Sequence, residues 1–210
     1  MVQVQVCDHP LIRQALGELR RKETPPLEFR ERVGELARYL TYEAARDLAV
    51  AEVEIETPLA RTIAQRVDER KIILAPILRA GLAMIEGAIA TFPHAHVRHI
   101  GLFRDEATLQ PVEYYVKLPE VLDPEALVIV LDPMLATGGS AIAAIDVFKQ
   151  RGITRFKFIC LIAAPEGLAA VAAKHPEVPI YTASVDLRLN EKGYIVPGLG
   201  DAGDRCFGTV

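Results

Sequence analysis

The chain of 210 residues holds only three cysteines, Cys7, Cys160 and Cys206. They are too few and too scattered for a disulfide framework or a cysteine zinc site. Cys160 stands inside the apolar run Phe158-Ile159-Cys160-Leu161-Ile162, where a thiol acts as a small buried hydrophobe. An excess of basic charge is also missing: 24 Lys and Arg stand against 28 Asp and Glu, a net charge of −4. That excludes broad coating of nucleic acid, which needs a basic face. It leaves room for a local basic pocket that takes an anionic small molecule. The 14 Gly and 14 Pro follow no period, so collagen-like and linker sequence are excluded, and no internal repeat is visible. Met1 to Pro10 lacks the basic and apolar regions of a signal peptide. The most apolar stretch, Ile72 to Phe92, contains Arg79, Glu86 and a proline, a pattern costly in a bilayer. The expectation is a cytosolic protein without a membrane partner.

What is present is ordinary globular composition, half hydrophobic and a quarter charged. Val2, Val4 and Val6 alternate with Gln3 and Gln5 and predict a strand. Helices are expected over Pro10 to Arg21 and, after Pro25-Pro26, over Leu27 to Asp47, where Phe29, Val33, Leu36, Leu40 and Ala44 share one face. That long helix and the valine strand are candidates for a subunit contact. Val53 and Ile55 alternate with Glu52, Glu54 and Glu56, predicting a strand with one wet face. Beyond residue 70, unbroken apolar runs alternate with helical segments. The runs are Lys71–Ile77, His96–Phe103, Leu127–Leu131, Phe156–Ala163 and Val178–Val185. The helices are Ala80–Phe92, Ala141–Gln150 and Pro165–Lys174. This is the pattern of an α/β fold whose mainly parallel sheet is flanked by helices. One domain over 1–210 is expected. Two regions stand apart. Residues 104–119 are polar and long for a connection, so a hairpin or lid is expected. Residues 186–210 are rich in Gly, Asp and Pro without periodicity. Position alone favours fraying, and a positioned site loop is the alternative.

The chemically informative segment is Val128-Ile129-Val130-Leu131-Asp132-Pro133-Met134-Leu135-Ala136-Thr137-Gly138-Gly139-Ser140-Ala141. A buried strand ends at Asp132, and a glycine-rich loop leads into a helix. Helix N-termini offer unpaired N–H groups and partial positive charge. Two glycines let the backbone approach a phosphate, while Thr137 and Ser140 add hydroxyl donors. Asp132 cannot be there to bind phosphate. Its place suits sugar hydroxyls or, directly or through water, Mg²⁺. The loop lacks the terminal Gly-Lys-Ser/Thr of a Walker A motif. Gly198-Leu199-Gly200-Asp201-Ala202-Gly203 spells G-x-G-x-x-G, but only seven residues follow, so no dinucleotide site can be built there.

Asp132 to Ala141 resembles the loop that binds 5-phosphoribosyl 1-diphosphate (PRPP) in type I phosphoribosyltransferases. That loop alone would suit enzymes for adenine, hypoxanthine or orotate equally well. The tail Gly193-Tyr194-Ile195-Val196-Pro197-Gly198-Leu199-Gly200-Asp201-Ala202-Gly203-Asp204-Arg205 resembles the uracil-binding segment of the uracil phosphoribosyltransferases. Pro76-Ile77-Leu78-Arg79-Ala80-Gly81, Gly101-Leu102-Phe103-Arg104-Asp105-Glu106 and the stretch from Tyr42 to Pro58 also fit that family. The resemblance implies the type I fold, with a lid hairpin at 104–119 and a small hood formed by the chain ends, including a base-recognition tail at 186–210. It implies transfer of phosphoribosyl from PRPP to uracil, giving UMP and diphosphate. PRPP is assigned to Arg79, Arg104, Asp132, Pro133, Met134, Leu135, Ala136, Thr137, Gly138, Gly139, Ser140 and Asp201. Uracil is assigned to Ile195, Gly200, Asp201 and Ala202. Arg79, Arg104 and Asp201 are the expected catalytic residues. Mg²⁺ is expected mainly through PRPP. Leu131 stands where many type I members have a second acidic residue, and no protein ligand to the metal is assigned. The resemblance further implies a homo-oligomer, dimer or tetramer, and leaves a GTP effector open. Asp204 is left between a site role and turn chemistry, and Lys192 has no assignment. An RNA-binding regulator on the same fold would need a Lys/Arg cluster that the sequence lacks.

Overall fold

The computed structural model describes residues 3–104, 111–119 and 121–209; residues 103, 104, 111 and 112 are described by backbone alone. In chain order the elements are β1 (Val4–Val6), α1 (Pro10–Arg20), α2 (Pro26–Ala44), β2 (Ala51–Glu56), β3 (Arg61–Arg66), β4 (Ile72–Leu78), α3 (Ile85–Thr91), β5 (His96–Val97), β6 (Ile100–Arg104), β7 (Pro111–Val116), β8 (Leu127–Leu131), β9 (Met134–Leu135), α4 (Gly139–Lys149), β10 (Arg155–Ala163), α5 (Pro165–Lys174), β11 (Ile180–Val185), β12 (Arg188–Leu189), β13 (Ile195–Val196) and α6 (Ala202–Phe207).

The main sheet runs β1-β11-β10-β8-β4-β6-β7. Its pairings are parallel up to β6, and β7 closes the edge antiparallel to β6. Every residue of β8 is buried, because helices cover both faces. Leu127, Ile129 and Leu131 point into a core shared with α1, α2 and α3. Val128 and Val130 point into the core built with α4 and α5. The period of two along one strand thus serves two layers. The α2 stripe of Phe29, Val33, Leu36, Ala37 and Leu40 is wholly buried within this chain. Lys157 of β10, itself buried, donates to the Ala44 carbonyl and pairs with Asp47 where α2 ends. A cation there suits the negative end of the helix.

Several expectations are corrected. The apolar run at 96–103 is two strands: β5 pairs with Ile73 and Leu74, and β6 with Ile77 and Leu78. Between them Arg98 N–H donates to the Leu74 carbonyl at 2.9 Å, still holding the chain to β4. The helix expected over 80–92 begins as a tight 3₁₀ turn, Ala80–Met84, before α3. The strand at 51–56 pairs only with β3, in an antiparallel hairpin. Neither of its faces is dry: Val53 is half-buried and Ile55 exposed. No described element of this chain covers the alternating face. At 104–119, β6 and β7 pair Arg104 with Pro111. Residues 105–110 of the expected lid lie outside the described residues. The tail is not frayed. It forms the short pair β12–β13 and ends in α6.

Candidate active site

The parallel strands β4 and β8 end side by side, and the loops leaving their carboxyl ends face one cleft, the usual ligand position in open α/β sheets. Asp132 follows β8. Its N–H donates to the Ile159 carbonyl at 3.2 Å, and its Oδ1 accepts from Met134 N–H at 3.2 Å. The chain then rejoins the sheet as β9 beside Ile162 and Ala163. Pro133 and Leu135 are consequently buried, while Met134, Ala136 and Asp132 line the cleft. The 137–140 turn continues into α4. Its N-cap is Gly138 at φ 84°, with no side-chain cap. A Cβ at Gly138 would also lie 3.0 Å from the Gly167 carbonyl oxygen, and one at Gly167 would lie 2.5 Å from the Ala136 carbonyl oxygen. The loop therefore rests directly on α5. The first N–H groups of α4 have no partner within the helix, so an anion is favoured at this turn.

The opposite wall is the tail. A cavity of about 340 Å³ is lined by Ala80, Asp132, Met134 and Ala136 on one side and by Lys192–Ile195 and Gly200–Gly203 on the other. That volume is in the range of small-ligand sites. Ile195 is buried, and Gly198 and Gly200 adopt φ of 64° and 81°. A Cβ on Gly198 would fall 2.1 Å from the Ile195 carbonyl oxygen, so only glycine closes this turn. Asn190 accepts from the N–H groups of Lys192 and Tyr194 at 3.0 and 2.9 Å and shapes the other end of the segment.

Three arginines staple the tail to the N-terminal helices. Arg20 pairs with Asp186 at 2.6 Å and donates to the Gly198 carbonyl at 2.8 Å. Arg205 donates to the Leu19, Leu199 and Arg21 carbonyls at 2.6, 2.7 and 2.6 Å and stacks 4.3 Å over the Phe29 ring. Arg30 donates to the Cys206 carbonyl at 2.5 Å. Burial pushes the Asp186 carboxyl up. Arg20, the Ser184 hydroxyl and the Gly198 N–H outweigh it and hold the carboxyl below its usual range.

Asp132 is pushed the other way. Burial is the main cause, the Met134 N–H opposes it, and the nearby charge of Asp201 adds to it, placing Asp132 at about 7. At that value the carboxyl can donate as well as accept a hydrogen bond near neutral pH.

A uracil phosphoribosyltransferase description matches residues 6–209. The chain belongs to the uracil phosphoribosyltransferase family. It is 54% identical to the uracil phosphoribosyltransferase of Streptococcus thermophilus and 55% identical to that of Streptococcus agalactiae, in each case over the full length of both chains. A solved structure from Aquifex aeolicus superposes with a TM-score of 0.93 at 40% identity, covering 98% of each chain. The adenine phosphoribosyltransferase of Trypanosoma brucei superposes at a TM-score of 0.56 with 10% identity, over 90% of this chain and 86% of that one. That likeness speaks to the fold, which is the type I phosphoribosyltransferase architecture.

Of the positions expected from the sequence, Asp132, Met134, Ala136, Ile195, Gly200, Asp201 and Ala202 meet at this one cavity. Thr137, Gly138, Gly139 and Ser140 form the adjoining helix entry. Arg79 stands just outside the lining, paired with Asp204 at 3.0 Å. The Arg104 side chain lies outside the described residues. Asp201 has two duties: it lines the cavity, and it caps α6 by accepting from Asp204 N–H at 2.9 Å. Sequence reasoning left Lys192 unassigned, yet it lines the cavity beside Tyr194. It also missed the Arg79–Asp204 pair. No local spacing signals a pair whose partners stand 125 residues apart.

Proposed function

We propose that this chain transfers the phosphoribosyl group from PRPP to uracil, releasing UMP and diphosphate. One observation carries this reading: the Asp132–Ala136 loop and the 192–203 segment enclose the same cavity. A phosphate held at 137–140 and a flat base held against the tail would place the ribose between them, beside Asp132. A nitrogen of uracil then attacks C1 as the C1–oxygen bond to diphosphate breaks, and the proton on that nitrogen is released to solvent. Positive charge grows on the ribose and negative charge on the leaving group. Arg79 and Arg104 suit the latter, because a guanidinium matches phosphate oxygens and keeps its charge. Such electrostatic stabilisation is commonly the largest catalytic term.

Two carboxylates, Asp132 and Asp201, line the cavity. Among the described residues no group of three or more His, Cys, Asp or Glu gathers as a metal cage. That donor set fits Mg²⁺ carried chiefly by substrate phosphates and water, with one or two protein carboxylates. When bound, the cation neutralises charge on the diphosphate.

Uracil is read by the backbone of Ile195 and Gly200 to Ala202, with segment 104–119 as a lid and residues 1–210 acting as one unit. A neutral base read through hydrogen bonds excludes cytosine, whose swapped donors would leave buried groups unpaired. Three buried free thiols fit a reducing cytoplasm, and no described helix is long and apolar enough to cross a membrane. A homo-oligomer, dimer or tetramer, and a GTP effector complete the reading.

The test is a panel of bases with PRPP and Mg²⁺, read as diphosphate release and nucleotide formed. UMP from uracil, with no turnover of cytosine, adenine, hypoxanthine or orotate, is expected. Purine turnover without uracil turnover would overturn the assignment. Asp201→Ala is expected to lower turnover by about 100-fold, while costing only about 1 kcal/mol of stability as a lost helix cap. Parallel kinetics and urea unfolding check it.

A further inference from the structure

The tail brings two carboxylates to the start of α6, and they do different things. Asp201 lines the cavity. Asp204, one turn on, turns to Arg79, with Oδ1 3.0 Å from Nη2. The partners are 125 residues apart in sequence. The same Oδ1 accepts from the Thr209 hydroxyl at 2.5 Å. The Asp204 backbone is fixed at both ends: its N–H donates to Asp201, and its carbonyl accepts from the N–H groups of Gly208 and Thr209 at 2.7 and 3.3 Å. The Thr209 hydroxyl is the main cause that holds the Asp204 carboxyl below its usual range; burial opposes it, and Arg79 adds to the lowering. The carboxylate is thus in place independently of the arginine it meets.

Stability is not what this pair supplies. The Arg79 side chain is 57% exposed and that of Asp204 29%, and ion pairs so open to water add little. Orientation is what it does supply. An arginine side chain loses much rotamer freedom when it binds a ligand, and a guanidinium has five donors, of which one nitrogen is engaged here. Gly203 marks how near the group is to the cavity it helps line. A Cβ there would lie 3.3 Å from Asp201 Oδ1 and 3.9 Å from Arg79 Nη2.

We propose that Asp204 is a positioning residue, holding the Arg79 guanidinium at the cavity mouth for the diphosphate of PRPP. The tail that reads the base would then also set the arginine that meets the leaving group. This rests on the phosphoribosyl-transfer reading above. Arg79 touches the substrate; Asp204 acts through it.

A double-mutant cycle tests the role, with Mg²⁺–PRPP affinity measured by calorimetry and KM measured for each substrate. Asp204→Asn keeps the shape and removes the charge. It is expected to raise Kd and KM for PRPP about 5- to 10-fold while KM for uracil stays within about twofold. In an Arg79→Gln background the same change is expected to alter PRPP affinity by less than about twofold. Thr209→Val, which frees the carboxylate but keeps its charge, is expected to weaken PRPP in the same direction and to a smaller extent. Equal weakening in both backgrounds, equal loss for uracil and PRPP, or tighter PRPP binding in Asp204→Asn would each overturn the positioning role. Wild-type enzyme is assayed alongside. Absence of UMP there removes the reaction and this proposal together, whereas an additive cycle in an active enzyme removes the positioning role alone.

Discussion

Asp132→Asn is expected to abolish most activity and to stabilise the protein above neutral pH. The carboxyl sits at about 7 because burial and the charge of Asp201 disfavour its ionised form, with only the Met134 N–H in its favour. A carboxyl raised above its unfolded value of 3.8 binds more protons folded than unfolded between those two limits. Its contribution to stability is full below the unfolded value and is lost as pH rises through about 7. Ionised Asp132 therefore costs the folded protein stability at pH 8. Asparagine keeps the shape and the Met134 contact without that cost. The gain at pH 8 is expected to be roughly 1–3 kcal/mol, or about 3–8 °C in Tm, shrinking toward zero at pH 4. Activity is expected to fall by about 100-fold or more, because asparagine cannot supply the charge beside the ribose. Thermal unfolding of both proteins at pH 4, 6 and 8, with turnover at pH 8, tests this. Equal Tm values at every pH would contradict the assigned ionisation.

Arg20→Leu is expected to have the largest effect on stability. Arg20 meets Asp186, whose side chain is only 2% exposed, and also donates to Gly198 and Ser184. Removing the cation strands a buried carboxylate, which costs about 3–5 kcal/mol. For a chain of this size that is a fall of roughly 6–15 °C in Tm. Asp186 is held below its usual range, so its contribution is present above the unfolded value and lost as pH falls through the folded one. The wild type is expected to weaken in acid, and the variant to show a flatter acid limb. Asp186 also accepts from Gly198 N–H at 2.9 Å, beside the turn proposed to read the base. KM for uracil is thus expected to rise about 10-fold or more, with a smaller change for PRPP. Unfolding curves and substrate kinetics read both effects. A variant as stable as wild type would show that the pair only decorates the surface.

How much of this was legible in the sequence depended on whether the signal was local. The strand–Asp132–loop–α4 unit is contiguous, so its apolar run, glycines and helical period lie side by side. The tail's site residues were legible only through resemblance. α6 is six residues long and contains Gly203, too short for periodicity to register. It is held by tertiary contacts from Arg205 and Arg30. β3, with the sequence Arg-Thr-Ile-Ala-Gln-Arg, has no face that the chain buries, so alternation carries little information there. The Arg79–Asp204 pair joins distant segments and leaves no trace in spacing between them. Asp132 was placed by its position after a strand. Its raised pKa comes chiefly from burial, with the approach of Asp201 from the tail adding to it, and only the fold supplies either.

The two halves of the site come from different parts of the chain, and a single ligand that touches both tests whether they work together. A crystal structure with UMP is the most direct measurement. The phosphate is expected against the 137–140 turn, the ribose hydroxyls beside Asp132, and the base against Ile195 and Gly200 to Ala202. UMP bound elsewhere, or held by one wall with the other untouched, would contradict the account.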